Sequence, residues 1–317
     1  MRFHFLNVGN GDCSIIEHSS GRVSIIDINK GQSNYEKVYE SSGNYNQKEN
    51  PEHPIDYLEK LLSKRNIFRF ILTHPEFDHL RGIKNLFSNF HVYNFWDTEN
   101  NRQETKFSIN LDKEDWEFYQ KIRNNKENPK TLFLYRFAQS ECCWKNDGIT
   151  ILSPTKELVN KANKSKEWNL LSYVLLIEDN DLKILLSGDA TDEVWEDILN
   201  DLKKNNLIDL IKNVDVLVAP HHGRKSNRSS EFLKILNPKL TLLGNAPSEH
   251  INYDLYGRYS ERKLTNNQAG NVVIQKYKNN WYVLITNESF ANDETKFKEL
   301  HTDTIANREY FYLWKLK

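Results

Sequence analysis

Three short apolar runs in this chain each end on residues that bind metals. Arg69-Phe70-Ile71-Leu72-Thr73 leads into His74-Pro75-Glu76-Phe77-Asp78-His79, Leu182–Ser187 leads into Gly188-Asp189, and Val214–Ala219 leads into Pro220-His221-His222-Gly223. Runs of this length, alternating with helical stretches, indicate an α/β protein. In an α/β sheet the carboxyl ends of the strands lie along one edge, where ligands are usually bound. A single histidine at a strand end is most often a structural residue. Imidazoles and carboxylates recurring after three strands are instead the donor set of a divalent metal.

Further strands are predicted at Val23–Asp27, Leu240–Leu243, Val272–Tyr277 and Trp281–Ile285. Helices are predicted at 55–64, 80–89, 113–124, 193–205 and 230–236. Two polar stretches without periodicity, 32–54 and 97–110, read as surface excursions from a single domain over 1–317. Within His74–His79, Pro75 disfavours helix at His74, so a tight loop is expected to precede a helix at Leu80. The segment places four potential ligands within six residues: His74, Glu76, Asp78 and His79. The competing reading is a helix cap, with Asp78 bonding exposed N–H groups and the histidines merely nearby.

Composition removes other classes. Lys and Arg number 43 against 44 Asp and Glu, a net charge of −1, so any nucleic-acid contact should be local rather than a coating of the whole surface. No apolar run is long enough to span a membrane, and Met1–Gly9 lacks the apolar core of a signal peptide. A cytoplasmic protein without membrane contact is expected. Three cysteines, with Cys142 and Cys143 adjacent, make neither a disulfide framework nor a zinc-binding CxxC.

The motifs together resemble the metallo-β-lactamase fold hydrolases, in the branch that includes the nuclease domain of the competence protein ComEC. Asn7-Val8-Gly9-Asn10-Gly11-Asp12 resembles the V-G-Q-G-D start of that branch, and Ile25-Ile26-Asp27 its strand ending in Asp. Thr73–Gly82 resembles T-H-x-H-x-D-H-x-x-G, Asn169–Leu175 resembles N-x-x-S-L-V-L, Leu186–Asp189 the T-G-D turn, and Ala219–Ser226 the P-H-H-G-S-x-x-S segment. The resemblance implies a four-layer αββα sandwich. It also implies a phosphodiesterase or nuclease in which a metal-activated hydroxide attacks. His74 and Glu76 would hold a first ion, and Asp78 and His79 a second. Asp189 would bridge the two, and His221 or His222 would complete the second site. Asp78 and Asp189 are then the catalytic carboxylates.

Glu76 stands where the family has a second histidine, and the segment that often supplies a further ligand offers Asn169 and Ser172. The first site is therefore oxygen-rich, which suits manganese or magnesium beside the zinc that imidazole favours. One or two ions are expected. Asp27 is expected to orient the metal loop, and Arg224, Lys225 and Arg228 to meet a phosphate. His250 is a weaker candidate for substrate contact. Asp12, between glycines, is expected to shape a turn rather than touch metal. The seven tryptophans read as packing residues. Two alternatives stand beside the phosphodiesterase: a hydrolase of lactones, thioesters or esters, and a metal-poor binding or effector-associated module. Substrate or partner would be nucleic acid, a nucleotide or a partner protein.

Overall fold

The computed structural model describes residues 1–32, 45–138, 143–225, 230–245, 250–295 and 301–317. Arg228, Cys142 and most of the 32–54 excursion lie outside the described residues. The class is α/β as the sequence predicts, with two mixed sheets and helices on both. The chain divides into two compact units, Met1–Asp97 with Gln103–Leu132 and Thr265–Lys317, and Thr98–Arg102 with Phe133–Leu264.

The first unit is built on a ten-stranded sheet. Strand Arg2–Phe5 pairs antiparallel with Ser14–Glu17 on one side and with Val272–Tyr277 on the other, Arg2 opposite Gln275. Beyond them, Val23–Ile26, Ile67–Ile71 and Val92–Asp97 run parallel, with Ile25 beside Phe70 and Phe70 beside Phe95. Parallel pairing requires crossovers. Helix Pro54–Leu62 supplies one and helix Ile83–Asn89 the next. The first begins cleanly because Pro54 occupies its first turn, where a missing N–H costs nothing, and His53 accepts from Asp56 N. Its Tyr57, Leu58 and Leu62 are buried with Ile25, Phe70, Phe95 and Leu86 in one core.

The expected helix over 80–89 is interrupted. A single turn, Phe77–Leu80, ends at Arg81, and Ile83–Asn89 starts afresh after Gly82. Gly82 has φ +102°, and a Cβ there would lie 2.4 Å from Gly31 Cα. Only glycine permits both the conformation and the approach.

The second unit holds a six-stranded sheet. Leu182–Leu186, Val216–Val218 and Leu240–Leu243 run parallel, and Val174–Asp179 pairs antiparallel with Leu182–Leu186 across the Asn180-Asp181 turn. The strands are buried along nearly their whole length, the pattern of a sheet covered on both faces. Helix Asp192–Lys204 is capped by Thr191 Oγ1, with Asp192 and Glu193 in its first turn and Lys203 and Lys204 in its last, matching its dipole. Val194, Trp195, Ile198, Leu199 and Leu202 form its buried stripe, and Trp195 stacks on Phe232 with centroids 4.5 Å apart. Among the described residues no helix is long and apolar enough to cross a membrane.

Candidate metal centre

In the first unit, the carboxyl ends of two parallel strands converge. Asp27 follows Val23–Ile26 with φ +57°, and Thr73-His74 follow Ile67–Ile71. Asp27 is buried and its carboxylate makes three contacts. Its Oδ1 accepts from Thr73 N at 2.7 Å, its Oδ2 accepts from Thr73 Oγ1 at 2.7 Å, and Oδ2 lies 2.8 Å from His79 Nδ1. Burial pushes the Asp27 carboxyl above its ordinary range, against the opposing pull of His79 and Thr73. A carboxylate held on one ring nitrogen of a histidine fixes its tautomer and the orientation of the ring.

That other nitrogen, His79 Nε2, lies 3.7 Å from Asp78 Oδ2. His74 is also fully buried, with Nδ1 3.1 Å from Thr73 Oγ1 and Nε2 3.9 Å from Glu76 Oε2. The two imidazoles stand with centroids 4.3 Å apart. Asp78 and His79 sit on the single helical turn rather than on a loop before it. The cap reading for Asp78 is not realised, since the cap position is Glu76, whose side chain makes no capping bond. His74 and Glu76, and Asp78 and His79, lie side by side, two buried imidazoles beside two carboxylates about one-third exposed.

In the second unit, the three parallel strands deliver Asp189, the His221-His222 pair and Asn245 at their carboxyl ends. Asp189 is buried between the histidines, Oδ2 3.6 Å from His221 Nε2 and Oδ1 3.9 Å from His222 Nε2. Both histidines have left-handed backbones, φ +52° and +55°, and His221 N donates to Gly188 O at 3.0 Å. Gly244 explains how His222 is seated, because a Cβ there would lie 2.9 Å from His222 Nδ1. Arg224 is half-buried and bridged to Ile251, whereas Lys225 is exposed. Ser172 is buried, and Asn169 is half-buried in the 3-10 turn Trp168–Leu171. Cys13 is buried, and burial pushes its thiol up, away from the reactive thiolate.

Asp12 also comes near this group. A carboxylate oxygen of Asp12 and a ring nitrogen of His79 lie within 4.8 Å of one another. The turn reading took account of Gly9 and Gly11 but not of where a hairpin between Arg2–Phe5 and Ser14–Glu17 sets its tip. Asn245, buried after the last parallel strand, was likewise unsignalled, because its flanking sequence carries no recognisable motif.

No protein-family model matches the chain. A segment is 28% identical over 137 residues to ComE operon protein 3 of Bacillus subtilis, covering 41% of this chain and 16% of that protein's length. Among solved structures the chain is similar to the metallo-β-lactamase fold protein YhfI from Bacillus subtilis. That match has TM-score 0.44 and 12% identity, over 84% of this chain and 96% of that one. It is also similar to CmlA, a diiron β-hydroxylase from Streptomyces venezuelae, with TM-score 0.46 and 11% identity over 86% of this chain and 54% of that one.

Proposed function

We propose that this chain is a metal-dependent hydrolase of phosphodiesters, in a ComEC-like branch of the metallo-β-lactamase fold, acting on nucleic acid or a nucleotide. In this reading residues 1–317 form a single metallo-β-lactamase-like domain. His74, Glu76, Asp78, His79, Asp189 and the His221-His222 pair hold one or two divalent ions, with manganese or zinc the expected metals. The observation that carries the reading is His79. Its Nδ1 is fixed by buried Asp27 while Nε2 is turned toward Asp78, the carboxylate–imidazole arrangement that prepares a histidine for a cation. The donors fit such an ion, being neutral imidazoles and hard carboxylate oxygens.

A bound divalent ion would supply Lewis acidity, an acidified water and neutralisation of phosphate charge. The chain's own residues do the rest. Asp27 and Thr73 keep the imidazole of His79 in one orientation. Asp189, between two histidines, sets where positive charge can gather. Arg224, half-buried with its backbone pinned at Ile251, is the residue that would pair with a phosphate.

The test is elemental analysis of protein purified without added metal, paired with hydrolysis of bis-p-nitrophenyl phosphate beside lactone and nitrocefin substrates. Manganese-stimulated, EDTA-sensitive cleavage of the phosphodiester, lowered at least ~100-fold in Asp189→Ala, is expected. Protein that takes up neither manganese nor zinc would overturn the proposal. Lactone cleavage alone would move it to carboxylic esters.

A further inference from the structure

We infer that Asp12 is an additional metal ligand, on the side of His79, giving the first unit an oxygen donor beyond Glu76 and Asp78. The inference rests on the metal-dependent reading above and extends its ligand set. The turn carrying Asp12 is clamped to the metal loop by contacts that leave it little freedom. Asp12 N donates to Asp78 O at 3.2 Å, and Ile28 N donates to His79 O at 2.9 Å. Asn29, buried next to Ile28, donates through Nδ2 to Asn10 O at 2.6 Å and to Val8 O at 3.2 Å. One short segment therefore holds both the turn and the metal loop. Gly11 closes the remaining space. It has φ +141°, and a Cβ there would lie 2.3 Å from Asp78 O and 2.5 Å from Asn29 Nδ2. A turn needed only to reverse the chain has no use for so close an approach. Here it carries the Asp12 carboxylate to within 4.8 Å of a His79 ring nitrogen.

The chemistry follows from the donors. His79 Nδ1 is engaged by Asp27, so a cation would be met by Nε2, across the ring from that carboxylate. Asp78 already approaches Nε2 at 3.7 Å, and Asp12 adds a second carboxylate near the same ring. A cation at that ring would be met by anionic oxygen from Asp12 as well as from Asp78. Added anionic oxygen also favours harder ions over zinc. The replacement of a family histidine by Glu76 and the presence of Asp12 then act in the same direction.

The test is isothermal titration of metal-free protein with manganese and with zinc, in wild type, Asp12→Asn, Asp12→Glu, His79→Ala and the exposed control Asp56→Asn. Thermal melting of each metal-free variant checks the fold. Asp12→Asn should weaken manganese at least ~10-fold, the lower end of what displacing a supporting carboxylate costs a metal site, and weaken zinc less. Asp12→Glu should recover part of the loss, and Asp56→Asn should match wild type. If Asp12→Asn binds both metals as wild type does while His79→Ala loses them, Asp12 is no ligand and the hydrolase reading stands. Wild type that binds neither metal would overturn both. Should Asp12→Asn melt far below wild type, Asp12→Ser is titrated in its place: wild-type affinity for both metals overturns the inference, and a selective loss of manganese supports it.

Discussion

The two sheet edges that carry the candidate ligands hold them by different physics. In the first unit the imidazole of His79 is locked by hydrogen bonds, with Asp27 meeting His79 and Thr73 in a fully buried set. In the second unit the histidines are held by backbone conformation. His221 and His222 sit consecutively at positive φ, and Gly244 leaves the space that His222 fills. A hydrogen-bonded lock adds stability of its own. A strained turn costs stability, of order 1–3 kcal/mol per residue, and persists because its surroundings enforce it. One edge is thus expected to be robust without metal, and the other to gain most from binding it.

Replacing Asp27 should give the largest effect. Asp27→Ala leaves His79 Nδ1, Thr73 N and Thr73 Oγ1 buried without their acceptor, and should cost about 3 kcal/mol in urea denaturation of metal-free protein. A loss below ~1 kcal/mol would erase the contrast between the edges. His221→Gly should act in the opposite sense. Glycine accepts φ +52° without strain, so the metal-free variant should be stabilised by about 1 kcal/mol while its metal affinity falls. Lower stability in that variant would show that the turn is not strained.

The smallest effect near neutrality concerns protons. In the first unit, burial pushes the His4 imidazole below its ordinary 6.5, so its folded form stays neutral where the unfolded form takes up a proton. Stability should therefore fall as pH drops below about 6.5. Glu17 is pushed up by burial but brought down to about 2 by hydrogen bonds from His4 and Arg65. Its contribution is present above the ordinary 4.5 and lost as pH falls from there toward about 2. Denaturation between pH 7 and 3 should show a shallower acid slope in His4→Gln and in Glu17→Gln. Equal slopes in all three proteins would detach this pair from acid stability.

Much of this was legible in the residues themselves. The strand ends carrying His74, Asp189 and His221-His222 announced themselves because chemistry-bearing side chains cannot hide in short apolar runs. Asp27 was readable for the same reason, as a charge closing the run Val23–Ile26. What escaped was long-range or conformational. Helix Lys156–Ser165 escaped although its buried residues, Leu158, Val159 and Ala162, fall on one side, because the run around them is so polar overall. The break at Gly82 depends on contact with Gly31, which no local pattern encodes. The approach of Asp12 to His79 depends on where a hairpin tip lands in three dimensions, and a one-dimensional spacing carries no trace of it.

The pairing of Arg2–Phe5 with Val272–Tyr277 has a kinetic consequence. Arg2 Nε reaches Gln275 Oε1 across 273 residues of chain, so a central strand of the first sheet waits for a partner made much later. The second unit, almost continuous from Phe133 to Leu264, has its strands in hand well before that. On a ribosome adding residues one by one, the stretch Met1–Asp97 must keep the edge of Arg2–Phe5 uncovered while about 170 further residues emerge, an interval of roughly ten to thirty seconds. Contacts of such sequence separation close slowly. The hairpin whose tip bears Asp12 would then be secured only after the strands of the second unit have been made.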